Sequence, residues 1–112
     1  MDRAAPSPIV APLTTAEWEV LYLLHDALDQ LRKMTLSFSE LRYLAVEHPE
    51  DEIRAAVESL LHPDRHGRSG QPPLIVQIPN LADLPIYRIA PVGRDLVRAQ
   101  RERAGRPAAG LR

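Results

Sequence analysis

Residues 72–97 read PPLIVQIPNLADLPIYRIAPVGRDLV, and this stretch decides the fold. Two runs rich in β-branched residues, 74–78 and 86–90, are separated by a segment that begins and ends with proline. Such runs with turn residues between them predict a two-stranded β-hairpin. Gly93 then precedes an amphipathic run that predicts a short helix. The second half of the chain is therefore expected to form a hairpin followed by a helix.

Three helices are predicted ahead of the hairpin, near residues 14–33, 38–47 and 50–61. Thr14 with Glu17, and Ser37 with Glu40, have the spacing of capping boxes, which satisfy free backbone N–H groups at a helix start. Pro49 suits a first helical turn, where its missing N–H would have no partner. The apolar spacing predicts a core of Trp18, Leu21, Leu24, Leu28, Leu41, Leu44, Ile53, Val57, Leu60, Val76, Ile78 and Ile89.

The composition fits one small domain. The chain has 112 residues, 45% of them hydrophobic, and no cysteine, which excludes disulfides, thiol catalysis and cysteine-ligated zinc. We expect a cytoplasmic protein without a membrane span, since no apolar run is long enough and prolines interrupt the N-terminal one. The predicted organisation is a flexible arm at 1–12, one domain at 13–103 and a disordered tail at 104–112.

Charge is divided unevenly between the two halves of the chain. Residues 1–61 carry a net charge of −6 and residues 62–112 a net charge of +5. A basic half can follow a phosphate backbone. Alternatively, the two halves attract each other within one fold or across a dimer, and the sequence leaves both interpretations open.

The segment Tyr87-Arg88-Ile89-Ala90-Pro91-Val92-Gly93-Arg94 and the order of the predicted elements resemble the wing and closing helix of a winged helix-turn-helix domain. The resemblance is to bacterial MarR-like and PadR-like regulators and covers residues 13–103, although Ala90 stands where threonine is usual. It implies an α+β fold with a three-helix core, a two-stranded hairpin wing and a short C-terminal helix. It also implies a transcriptional regulator that binds double-stranded DNA as a homodimer.

In that resemblance the third helix is the recognition helix. Its exposed side is net negative, and Glu50, Arg54 and Glu58 fall at the spacing of a solvated charge ladder, which remains an alternative to base or phosphate contact. The cationic residues that we predict to contact nucleic acid are Arg42, Arg54, Arg65, Arg68, Arg88 and Arg94.

Two apolar surfaces are predicted to contact protein. The first helix offers Trp18, Tyr22, His25 and Leu28 for a homodimer. The wing tip carries Leu81 and Leu84, for which we expect a protein partner unless they fold back onto the core. The alternative function is a protein interaction module, with an acidic third helix and an apolar wing tip, that does not bind DNA specifically.

Chemical motifs are sparse. His62 and His66 have a spacing that could bind a metal on a helix, but Pro63 and Gly67 place them in a loop. The sequence contains no glycine-rich phosphate loop and no nucleophile elbow. We therefore predict no enzyme, no cofactor and no metal site.

Overall fold

The computed structural model describes residues 12–79 and 84–110, with side chains as far as residue 103. The elements are α1 (Thr15–Leu31), β1 (Leu36–Ser37), α2 (Phe38–Leu44), α3 (Glu50–Leu61), a 3₁₀ turn (Pro63–His66), β2 (Ile75–Ile78), β3 (Ile86–Ile89) and α4 (Pro91–Gly110). The predicted α+β class is confirmed. Residues 1–11 of the predicted arm and the wing-tip residues 80–83 lie outside the described residues.

Helices α1 and α2 begin at the capping boxes that the sequence predicted. Thr14 accepts a hydrogen bond from the Glu17 N–H while the Glu17 carboxylate accepts one from the Thr14 N–H, so both halves of the predicted capping box are present. Ser37 and Glu40 form the same reciprocal pair at the start of α2. These pairs fix where each helix begins, because they satisfy donors that the helix itself leaves free.

The three strands form one antiparallel sheet in the order β1-β3-β2. In the β2–β3 register, Ile75 pairs with Ile89 and Gln77 pairs with Tyr87. The two-residue β1 pairs with β3 on its other side, so the hairpin gains a third strand. The Phe38 N–H donates to the Pro85 carbonyl at 3.1 Å, which joins the start of α2 to the start of β3.

The core lies between α1, α3 and the inner face of the sheet, and most of its predicted members are confirmed. Leu21, Leu41, Ile53 and Leu60 are fully buried. The prediction that Leu44 belongs to the core is wrong, because this residue is 45% exposed. Helix α2 ends at Leu44, and the chain turns Ala45 inward instead.

The predicted core face of β2 is also wrong. Val76 and Ile78 are only half-buried, while Leu74 and Ile75 are fully buried. Because side chains alternate along a strand, the pairing of Ile75 with Ile89 places Val76 on the opposite face of the sheet from the core. A one-residue difference in register therefore exchanges the two faces.

Helix α4 is longer than the short helix predicted after Gly93. It begins at Pro91, and its helical backbone continues to Gly110 through most of the predicted tail. Gly93 packs directly against the residue that precedes β2, since a Cβ at this position would lie 2.4 Å from the Leu74 carbonyl oxygen. This close approach seats the first turn of α4 against the beginning of the hairpin.

Candidate nucleic-acid interface

The outward face of α3 carries a line of alternating charges. Glu50, Arg54 and Glu58 follow one another at four-residue spacing, so they lie along one side of the helix. Arg54 donates to Glu50 at 2.6 Å, and Arg42 from α2 donates to the other oxygen of the same carboxylate at 2.9 Å. Two guanidinium groups thus share one acceptor at the start of α3. We call the set Glu50, Arg54, Glu58, Arg42 and Arg65 the α3 stripe.

The two ends of the α3 stripe are held by different contacts. The guanidinium of Arg54 lies 4.5 Å from the centre of the Phe38 ring, a cation–π geometry that fixes its direction. At the other end, Arg65 approaches Glu58 at 3.8 Å, and the His66 ring approaches the same carboxylate at 3.9 Å. Of the predicted charge ladder, the contact between Glu50 and Arg54 is present, and Glu58 pairs instead with Arg65 and His66 from the 3₁₀ turn.

The α3 stripe contains one more arginine than glutamate. Hydrogen bonds from Arg54 and then Arg42 hold the pKa of Glu50 below its ordinary value of 4.5, so this carboxylate stays ionised. All three arginines of the stripe are exposed. Exposed ion pairs contribute little to stability, because water and salt screen them. A phosphate group could therefore compete with the carboxylates for these guanidinium groups.

The other predicted cations lie elsewhere. Arg88 is exposed between the buried Tyr87 and Ile89, so its side chain lies on the face of the sheet opposite the core. Arg94, in the first turns of α4, borders a groove that contains Leu28 from α1. The structure thus brings together three of the six predicted arginines and separates Arg88 and Arg94 from them.

Arg68 requires a correction, because the structure buries it. Its guanidinium donates to both oxygens of Glu17, at 2.5 and 2.8 Å, and to the Pro12 carbonyl at 3.1 Å. Ser59 also donates to Glu17. A guanidinium enclosed in this way is not available to a phosphate, so Arg68 has a structural role. The sequence showed Glu17 only as a capping residue and gave no signal for its second partner.

The predicted dimer residues on α1 are only partly accessible. Trp18 and Tyr22 are half-buried and stack with ring centres 5.7 Å apart. The Arg101 guanidinium lies 4.7 Å from the centre of the Tyr22 ring, so α4 covers part of this surface. The placement of His25 at the interface is wrong, because this residue is 6% exposed within the chain itself. Leu28 is half-buried and remains accessible from the groove beside Arg94.

Exposed apolar residues occur at a place that the sequence did not indicate. Tyr43 and Val46 are 79% and 82% exposed, and Leu44 lies beside them near the end of α2. These three residues form what we call the α2 patch. Of the two predicted wing-tip residues, Leu84 is 58% exposed, and Leu81 lies outside the described residues. The sequence did contain one signal for the α2 patch. Tyr43 and Val46 are apolar, but they do not continue the helical spacing of the inward-facing Leu41.

Two general features of the described chain bear on function. Within residues 12–79 and 84–110, no helix combines the length and apolar character that crossing a membrane requires. The same residues contain no group of three or more histidine, aspartate or glutamate side chains placed to hold a metal ion. No protein-family model, no curated protein and no solved structure shows significant similarity to this chain.

Proposed function

We propose that this chain is a winged-helix DNA-binding protein that acts as a homodimer and regulates transcription. The proposal is supported by the element order, in which α2 and α3 are joined by a short turn and followed by a hairpin and a closing helix. In helix-turn-helix proteins the second helix of the pair enters the major groove while the first crosses the backbone. Helix α3 would be that second helix, with α2 beside it.

The observation that carries the proposal is the sharing of Glu50 by Arg42 and Arg54. The two guanidinium groups together carry more charge than the one carboxylate that they share, while Asp51 and Glu52 follow Glu50 in the same first turn of α3. Arg42 comes from the helix that would cross the backbone, and Arg54 comes from the helix that would enter the groove. Each guanidinium offers the paired donors that bind phosphate oxygens or guanine edges.

A dimer follows from the small number of such contacts. One domain presents few arginines to a duplex, and affinity rises with the number of phosphates neutralised. Two-fold operators match two-fold proteins, so a second copy would double the contacts. The half-buried pair Trp18 and Tyr22 on α1 provides aromatic surface of the kind that is enriched at interfaces.

The test is fluorescence anisotropy with a random duplex over a series of salt concentrations. We expect binding at low salt, and Arg54→Ala or Arg42→Ala should lower the salt slope by about one unit for each phosphate that the variant no longer neutralises. Arg98→Ala is the matched control, because Arg98 is an exposed arginine on α4, away from the α3 stripe. Absence of binding at low salt, or an equal effect of the control, would refute the proposal.

The α2 patch favours a second candidate function, a protein interaction module. Tyr43 and Val46 are exposed and precede the acidic first turn of α3 by only a few residues in the chain. Contiguous exposed apolar residues with a polar rim are typical of protein-binding surfaces. Under this candidate, the double variant Tyr43→Ser, Val46→Ser would keep its melting temperature and lose a protein partner or its self-association. Sedimentation velocity measures the second outcome directly.

A further inference from the structure

A groove with a volume of about 410 Å³ lies between the C-terminal part of α1 and the first turns of α4. Its lining residues are Leu28, Asp29, Arg32, Met34 and Arg94. Cavities of this size hold small organic molecules. The groove is separate from the α3 stripe and shares no residue with it.

The two arginines of the groove have no carboxylate partner, as is also true of Arg88, Arg98 and Arg103 among the cations whose side chains the structure describes. Lys33, Arg42, Arg54, Arg65, Arg68 and Arg101 form ion pairs. Arg32 and Arg94 form none within the described residues. The Nε atom of Arg94 is also shielded from water and donates to no acceptor there. Buried donors in native structures almost always have an acceptor, so the guanidinium of Arg94 is incompletely satisfied within the described residues.

The backbone holds both arginines in place at the edge of the groove. Arg94 follows Gly93, whose contact with the Leu74 carbonyl seats the first turn of α4. Arg32 is the C-cap of α1, and its N–H donates to the Ala27 carbonyl. The backbone positions from which the two side chains extend are therefore fixed.

The remaining lining residues indicate what kind of anion fits. Leu28 and Met34 are apolar and favour a hydrocarbon portion over a bare inorganic ion. Asp29 reduces the formal charge of the lining to +1, which matches a single negative charge. From these features we propose that the groove binds a small organic monocarboxylate, with its carboxylate on Arg94 and Arg32 and its hydrocarbon part against Leu28 and Met34.

The experiment is a nuclear magnetic resonance titration of the full ¹⁵N-labelled chain with hexanoate, observing the side-chain Nε–H resonances of the arginines. Hexanoate should shift the Arg94 resonance in a saturable way. Hexanamide, which has the same shape without the charge, should bind at least about tenfold more weakly, because it cannot form the charge-assisted hydrogen bond. Inorganic phosphate, which has the charge without the hydrocarbon, should also bind more weakly than hexanoate.

Two variants make the test specific to the groove. Arg94→Gln should weaken hexanoate binding by at least about tenfold. Arg98→Gln, one turn further along α4 and outside the groove, should leave it unchanged. If thermal melting shows that Arg94→Gln does not fold, Arg32→Gln takes its place with the same expectation. Equal binding of hexanoate and hexanamide, equal binding of phosphate, or an equal weakening in Arg98→Gln would each overturn the proposal.

Discussion

Glu17 and Arg68 are 51 positions apart in the sequence and form a buried ion pair, with side chains 3% and 8% exposed. The pair ties the first turn of α1 to the segment that leads into the hairpin. Arg68 also donates to the Pro12 carbonyl, so the same guanidinium holds the chain just before α1. One cation therefore joins three segments that are distant in sequence.

Removal of this cation should destabilise the domain strongly. We expect Arg68→Met to lower the free energy of unfolding by about 3–5 kcal/mol, because the Glu17 carboxylate stays buried without its partner. Urea unfolding measures the change. The control is Arg65→Met, whose exposed ion pair with Glu58 should contribute less than about 1 kcal/mol. A destabilisation in Arg68→Met no larger than in the control would show that the pair is not structural.

Stability should fall in acid because carboxylates of the folded state hold depressed pKa values. Burial alone would raise the pKa of Glu17, but hydrogen bonds from Arg68, Ser59 and the Thr14 backbone outweigh it and lower the pKa below 4.5. The hydrogen bond from Arg101 is the main cause that lowers the pKa of Asp26 below 3.8. A carboxylate whose pKa is lower in the folded state contributes stability above its unfolded pKa and loses it as the pH falls.

The expected profile follows from these directions. The free energy of unfolding should be level down to the unfolded pKa of Glu17, at 4.5, and then decrease as the pH falls. In Arg68→Met the contribution of Glu17 should reverse: burial without the cation raises its folded-state pKa above the unfolded value, so the free energy of unfolding should rise as the pH falls through that raised pKa. Urea titrations at several pH values test both statements. Identical pH profiles for the two proteins would contradict them.

Glu50→Gln should separate the two candidate functions. The substitution removes the shared acceptor of Arg42 and Arg54 and one negative charge from the α3 stripe. If the stripe contacts DNA, affinity for a random duplex should rise and the salt dependence should steepen. If the acidic start of α3 contacts a protein, that complex should weaken instead. Weaker duplex binding by Glu50→Gln, measured by anisotropy, would contradict the proposed DNA interface.

Gly93→Ala should disturb the junction between the hairpin and α4. The added Cβ would lie 2.4 Å from the Leu74 carbonyl oxygen and 3.0 Å from the Ile89 side chain, so the backbone must shift. Overpacking of this kind destabilises by about 1–3 kcal/mol. Ala99→Ser, at an exposed position of the same helix, is the control and should change stability little. A stable Gly93→Ala protein in a thermal melt would show that the close approach is not needed.

The sequence by itself determined the local structure of this protein. Two capping boxes, Pro49 and the proline-bounded hairpin placed the helices and strands, because each signal acts through backbone groups a few residues away. The alignment of Glu50, Arg54 and Glu58 was also visible, since helical spacing alone puts them on one side. The α+β class followed from the order of these elements.

Only the tertiary structure decided which side chains meet across the fold. The pairing of Glu17 with Arg68, and the sharing of Glu50 by Arg42 and Arg54, depend on how α1, α2, α3 and the loop pack. The core face of β2 depends on a register that one residue can reverse, and a continuous apolar run such as residues 74–76 does not fix it. Arg68 and His25 are therefore buried, although the sequence predicted both at the surface, because local residue spacing does not encode packing between distant segments.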